Sequence, residues 1–156
     1  MANDMNELQV HSVAFSHNGH IPLRYTCEGE NINPSLEISN IPEGTKTLAL
    51  IMEDPDAPKG TFDHWIVWNI LPNEAIAEQT NPGVSGTNSF GKTGYGGPCP
   101  PSGSHRYFFK IFAIDTELDL QAGANKNKLL QAMDGHILSK GELMGHYQKR
   151  KSMAMK

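Results

Sequence analysis

Cysteine is scarce in this chain: Cys27 and Cys99 are the only two in 156 residues. That is too few for a disulfide-built secreted scaffold, and their separation excludes a CxxC redox or zinc motif. Both sit in turn-like contexts, and pairing and free thiols are both left open. Long apolar runs are also missing. No stretch of about 18 apolar residues occurs, so no membrane-spanning helix is expected. The start, Met1 to Val10, contains Asp4 and Glu7 and lacks the apolar core of a secretory leader, which makes a cytoplasmic location the expectation. Excess positive charge is absent too. Thirteen Lys and Arg stand against seventeen Asp and Glu, a net charge of −4, which argues against nucleic-acid binding through a broad basic surface. Only Lys140 to Lys156, with five basic residues and one acid, is locally cationic, and it reads as a solvated end.

What the chain does have is 38% apolar residues, over a length that suits one domain, residues 1–156, with one sizeable core. Between residues 10 and 115 short apolar stretches are broken by Gly, Pro, Asn and Asp, the pattern of a turn-rich sheet protein. Thr47 to Met52, Trp65 to Leu71 and Arg106 to Ile114 read as strands. Leu48-Ala49-Leu50-Ile51-Met52 is apolar throughout and Tyr107 to Ile114 is similar, so both are expected to be buried on two faces. A sandwich satisfies this if a facing sheet covers one side and a loop or helix the other. Pro72 to Gly103 is rich in Gly, Pro, Asn and Ser, and loops of that length are usually functional. After Asp115 the spacing changes: Leu129, Leu130 and Met133, then Leu143, Met144 and Tyr147, fall at helical intervals. Two short closing helices, Lys126 to Met133 and Ser139 to Tyr147, are predicted.

The polar residues of interest gather in two Pro/Gly-rich segments. Asp54-Pro55-Asp56-Ala57-Pro58 leads to His64-Trp65, and Gly94-Tyr95-Gly96-Gly97-Pro98-Cys99-Pro100-Pro101 leads to His105-Arg106-Tyr107. Proline fixes its own φ and pushes the preceding residue into extended backbone, so the two carboxylates are held stiffly at a strand end. His64 and His105 each stand at the mouth of a predicted core strand. Imidazoles near carboxylates gain proton affinity and can accept an anion near neutral pH, a phosphoryl group being the natural guest. Glycines at 94, 96 and 97 would let backbone N–H groups approach such a ligand. Each feature alone has an ordinary structural explanation; their repetition argues for a site.

The DPDAP loop, the histidine at the next strand and the Gly/Pro loop ending in His-Arg-Tyr resemble the phosphatidylethanolamine-binding protein family, in its bacterial Raf-kinase-inhibitor-like branch. The resemblance runs from Tyr25-Thr26-Cys27-Glu28-Gly29 through Asn33-Pro34 and both loops to a closing Gly135-His136-Ile137-Leu138 helix. It implies a mainly β fold, a sandwich of antiparallel sheets with Greek-key connections and short C-terminal helices. It also implies a small anion pocket built from Asp54, Asp56, His64, Gly96, Gly97, Pro98, His105 and Tyr107. Two features depart from eukaryotic members: the loop between Pro58 and His64 is much shorter, and Asp63 stands where a second histidine is common. The Asn33-Pro34-Ser35 region also lacks the second proline and the tryptophan usual in bacterial relatives.

Three functions follow as expectations. The first is a binding protein for a phosphorylated small molecule, a phospholipid head group or a phosphorylated protein segment, able to modulate a partner such as a kinase. The second is a phosphoester hydrolase using Asp54 or Asp56 with one histidine as acid and base. Ser102 and Ser104 lie near His105, but no G-x-S-x-G elbow precedes a helix, which weighs against a serine nucleophile. The third is a divalent metal site on the two Asp and two His, which lacks the short His spacing of zinc motifs. No cofactor, no metal and no nucleic acid are expected. Small sandwiches with exposed loops often dimerise, so a homodimer is an open expectation.

Overall fold

The computed structural model describes residues 7–149; Arg150 to Lys156 of the basic end lie outside them. The strands are β1 (Gln9–His11), β2 (Gly19–His20), β3 (Leu36–Ser39), β4 (Thr47–Asp54), β5 (Phe62–Ile70), β6 (Ala75–Ile76), β7 (Val84–Ser85), β8 (Ser104–Ile114) and β9 (Ile137–Gln148), with a 3-10 turn at Leu23–Tyr25 and one α-helix, α1 (Lys126–Met133), before β9. They form a six-stranded sheet in the order β2-β9-β8-β4-β5-β7 and a three-stranded sheet in the order β1-β3-β6. All pairings between these strands are antiparallel except β2 with β9, which is parallel. The three predicted strands are present as β4, β5 and β8, and His64 and His105 lie inside β5 and β8 rather than ahead of them.

The unbroken apolar runs are explained by cover on both sides of the large sheet. Side chains alternate across a strand. Leu48, Leu50 and Met52 of β4, Trp65 and Val67 of β5, and Phe109 and Ile111 of β8 therefore meet Leu36 and Ile38 of the small sheet in one core layer. Ala49, Ile51, Ile66, Trp68, Phe112 and Ile114 go to the opposite face. There Leu129 and Met133 of α1 and Leu118 of the preceding loop cover them. Each fully buried large apolar side chain contributes roughly 1.5–3 kcal/mol relative to exposure. The helix is short but well started: the Asn125 side chain accepts a hydrogen bond from the Lys128 amide at 3.0 Å.

The second predicted helix, Ser139 to Tyr147, is instead part of β9, paired with β8 from Ser104↔Gln148 to Ile114↔Ile137. The Gly135-His136-Ile137-Leu138 segment likewise leads into this strand. Leu143 and Tyr147 are four apart, a separation that puts residues on one face of a helix and equally on one face of a strand. The glycine at 141 carries the decisive information. A Cβ there would stand 2.1 Å from the Leu8 carbonyl oxygen, because the chain entering β1 lies across β9, with the Leu8 amide donating to the Lys140 carbonyl. Pro72 to Gly103 holds the short strands β6 and β7 and no helix.

Candidate functional site

Antiparallel pairing of β4 with both β5 and β8 brings the end of one beside the starts of the other two. Asp54, the last residue of β4, is buried. Its Oδ1 accepts the Asp56 amide at 2.7 Å, an Asx turn that Pro55 stiffens, and its Oδ2 accepts His105 Nδ1–H at 2.6 Å. One stacking distance away on the same face of β8, Tyr107 lies 6.4 Å ring to ring from His105. Tyr107 is fully buried, and its hydroxyl makes no hydrogen bond of regular geometry among the described residues, with the Asp54 carboxylate as its polar neighbour. Burial first, then the charge and hydrogen-bonding pull of the adjacent Asp54 carboxylate, hold that hydroxyl well above its ordinary pKa, so it stays protonated as an O–H donor.

His64 is buried on β5 and forms a two-way pair with the Gly96 peptide. Its Nδ1–H donates to the Gly96 carbonyl at 2.7 Å, and the Gly96 amide donates to the His64 carbonyl at 3.0 Å. Burial pushes the imidazole pKa down, against the Gly96 carbonyl and the Asp54 charge, which push it up. Tyr107, Phe62 and Phe90 surround the ring at centroid distances of 5.3, 4.8 and 5.5 Å.

These side chains converge on a cavity of about 430 Å³ lined by Asp54, His64, His105 and Tyr107, with Phe62, Phe90, Pro58 and Pro101 forming apolar walls and Lys59 at the lip. Of the residues named from sequence, Asp56, Gly96, Gly97 and Pro98 are not in this lining. Asp56 Oδ2 accepts the Arg106 amide and Nε, each at 2.9 Å, and its Oδ1 accepts Nη2 at 2.8 Å. These bonds hold its carboxyl down at about 2. Nor do the glycine amides form an anion cradle. The Gly96 amide is spent on His64, and the Gly97 amide donates to Asn31 Oδ1 at 2.9 Å. A Cβ on Gly97 would stand 2.3 Å from the Tyr25 carbonyl oxygen, so glycine is required by that close approach.

The same loop is tied down covalently. Cys27 and Cys99 form a disulfide across 72 residues, which closes the question their spacing left open, and the Cys27 amide donates to the Pro98 carbonyl at 3.1 Å. By the chain-entropy model a loop of that length is worth about 4 kcal/mol. Cys99 and the prolines after it line the cavity, so the crosslink fixes one wall.

Five lining residues, Lys59, Gly60, Thr61, Phe62 and Phe90, lie outside the two segments singled out from sequence. Phe62 was accessible to sequence reasoning, since it precedes His64 by two on one strand and shares its face. Lys59 and Phe90 reach the cavity through loop conformation that no local pattern encodes. Asp63, between Phe62 and His64, goes to the other side, where its Oδ1 pairs with Lys126 Nζ at 2.8 Å. The proposed metal ligands do not assemble: His64 is bound to a carbonyl, Asp56 to Arg106, and no group of three or more His, Cys, Asp or Glu among the described residues is arranged to hold an ion. Nor, among the described residues, is any helix long and apolar enough to cross a membrane.

The fold is a two-sheet sandwich with a small, mostly apolar cavity beside the β4, β5 and β8 ends, and comparison with known proteins identifies its family. The family model for phosphatidylethanolamine-binding protein matches residues 11–148. The chain is 48% identical over 144 residues to a UPF0098 protein of Methanothermobacter thermautotrophicus, covering 87% of this chain and 95% of that one. It is 45% identical over 154 residues to the UPF0098 protein PH1269 of Pyrococcus horikoshii, covering 92% and 77%. A crystal structure of a phosphatidylethanolamine-binding protein homologue from Chlamydia trachomatis superposes with a TM-score of 0.89 at 44% identity, covering 93% of this chain and 99% of that one. For E. coli YbcL, a member of the mammalian family, the values are 0.85 and 30%, covering 92% and 99%. The chain belongs to the phosphatidylethanolamine-binding protein family.

Proposed function

We propose that this protein binds a phosphate-bearing ligand in the cavity between Asp54, His64, His105 and Tyr107 and acts as a binding module. The observation that carries the reading is the Tyr107 hydroxyl: a fully buried O–H donor that closes no hydrogen bond among the described residues costs about 1–3 kcal/mol unless a ligand or water accepts from it. His105 adds a second ring, oriented by Asp54, and Lys59 adds charge at the entrance. The apolar walls suit the organic part of a phosphorylated small molecule or a lipid head group. Asp56, Gly96, Gly97 and Pro98 serve as the frame around these groups.

An NMR titration with inorganic phosphate tests this. The His64 and His105 ring resonances should shift, and His64→Ala or His105→Ala should weaken the response. No shift of either ring at millimolar phosphate refutes the site.

One observation favours a second reading, a phosphoester hydrolase: the 2.6 Å Asp54–His105 pair is how a carboxylate orients a general base. Turnover of a phosphoester panel, lost in Asp54→Asn, would establish it. The disulfide also bears on location. Such bonds persist in oxidising surroundings and are rare in a reducing cytosol, hyperthermophiles excepted, so Cys27–Cys99 supports an oxidising compartment over the cytoplasm expected from sequence.

A further inference from the structure

The His64 ring has a fixed polarity. A carbonyl oxygen can only accept, so the 2.7 Å contact with Gly96 places a hydrogen on Nδ1 in either protonation state. The ring's one hydrogen bond among the described residues is through Nδ1, and His64 lines the cavity, so Nε2 is the nitrogen available to a ligand there. In the neutral ring, which burial favours, Nε2 is bare and can only accept. The charged and titratable groups around it are Asp54 on β4, His105 and Tyr107 on β8, Lys59 at the lip, and Asp63 on the far side of its own strand. Asp54 is an acceptor as well, so an oxygen placed near Nε2 without a hydrogen meets a lone pair and a neighbouring carboxylate. Tyr107 presents the complementary O–H donor 5.3 Å away, ring to ring. The cavity thus offers an acceptor beside a donor.

Resting on the anion-site reading above and narrowing it, we infer that the cavity selects oxyanions that carry a hydrogen of their own, hydrogenphosphate and phosphomonoester monoanions, over sulfate and phosphodiesters, which sets an intact phospholipid head group aside. The P–OH of the ligand donates to His64 Nε2, while an ionised oxygen of the same group accepts from Tyr107. Sulfate and a phosphodiester can satisfy Tyr107 but leave Nε2 facing an oxygen lone pair. Inorganic phosphate and a phosphorylated small molecule share the required chemistry and differ in what meets the Phe62 and Phe90 wall.

Isothermal titration of the full chain with inorganic phosphate, phenyl phosphate, sulfate and dimethyl phosphate separates these cases. At about pH 8 inorganic phosphate, which keeps one hydrogen, should bind about tenfold or more tightly than sulfate, the effect of one unsatisfied buried contact. Phenyl phosphate, which loses its last hydrogen near pH 6 or about there, should bind below that pH and weaken above it. Dimethyl phosphate should bind weakly throughout. Phenyl phosphate binding more tightly than inorganic phosphate at about pH 5.5, where both carry hydrogen, points to a phosphorylated small molecule as the source; the reverse order points to inorganic phosphate. Sulfate or dimethyl phosphate matching inorganic phosphate at about pH 8, or phenyl phosphate binding equally above and below its ionisation, overturns this selectivity and leaves the anion site standing. Binding by none of the four overturns both.

Discussion

Neighbouring residues on the same strands go to two sides of the large sheet, and the two sides treat charge differently. On the helix side Glu53 accepts from Lys110 Nζ at 2.7 Å and from Lys126 Nζ at 3.1 Å, and Lys126 also pairs with Asp63 at 2.8 Å. Burial works against the Glu53 charge, yet the two lysines more than offset it and hold the carboxyl below its usual range. That network answers its own charges. One residue further along, on the cavity side, Asp54, His64, His105 and Tyr107 are just as buried or more so, but Tyr107 Oη makes no hydrogen bond among the described residues, and His64, tied to Gly96 through Nδ1, keeps its second ring nitrogen for the cavity it lines. Polar groups satisfied among themselves stabilise a fold; polar groups held rigidly with one valence open make a candidate ligand site.

The comparison breaks most sharply by substitution on each side. Asp54→Ala strips a buried histidine of its partner and should lower stability by about 3 kcal/mol in urea unfolding, with loss of the phosphate response at His105. Glu53→Gln, on the closed side, leaves Lys126 its bond to Asp63 and should cost about 1 kcal/mol with phosphate affinity unchanged. If Glu53→Gln weakens phosphate binding as much as Asp54→Ala does, the two sides are not functionally distinct.

A smaller effect sharpens the role of Asp56, which holds Arg106 outside the cavity. Its carboxyl is depressed from 3.8 to about 2, chiefly by the Arg106 hydrogen bonds. The stabilisation is therefore complete above the carboxyl's ordinary value and is lost as pH falls toward about 2. Arg106 is about half exposed, its side chain retaining 47% accessibility, so screening limits the pair to less than about 1 kcal/mol. Wild type and Asp56→Asn should differ by that amount at neutral pH and converge near pH 2 or about there in urea unfolding. A difference that persists at the acid end would show that the carboxylate charge is not what matters.

The parts of the molecule legible in the sequence are those where local pattern and tertiary role coincide. Continuous apolar runs gave away β4 and β8 because both faces of the large sheet are covered, and Leu129 with Met133 marked α1 because its buried stripe has helical spacing. β9 differs from the helix expected over Ser139 to Tyr147 because Leu143 and Tyr147 fit both periods, while Gly141 is a strand residue under a crossing chain. In the site, Asp54, His64, His105 and Tyr107 were legible as polar residues where core strands begin or end. Asp56 was not separable from Asp54 by type; its fate is set by Arg106, which sits one residue after the histidine. The Gly96-Gly97-Pro98 segment looked like a ligand cradle and instead frames the cavity, since its amides and carbonyls are consumed by His64, Asn31 and Cys27. Hydrogen-bond allocation of that kind depends on partners far away in sequence.

The most direct test of a cavity built around open valences is a crystal structure of the protein grown with inorganic phosphate. The account predicts tetrahedral density in the cavity, one oxygen within hydrogen-bond distance of Tyr107 Oη and another of His64 Nε2, with Asp54 still holding His105. Phosphate seated only on exterior lysines, with the cavity holding none at saturating concentration, would contradict it.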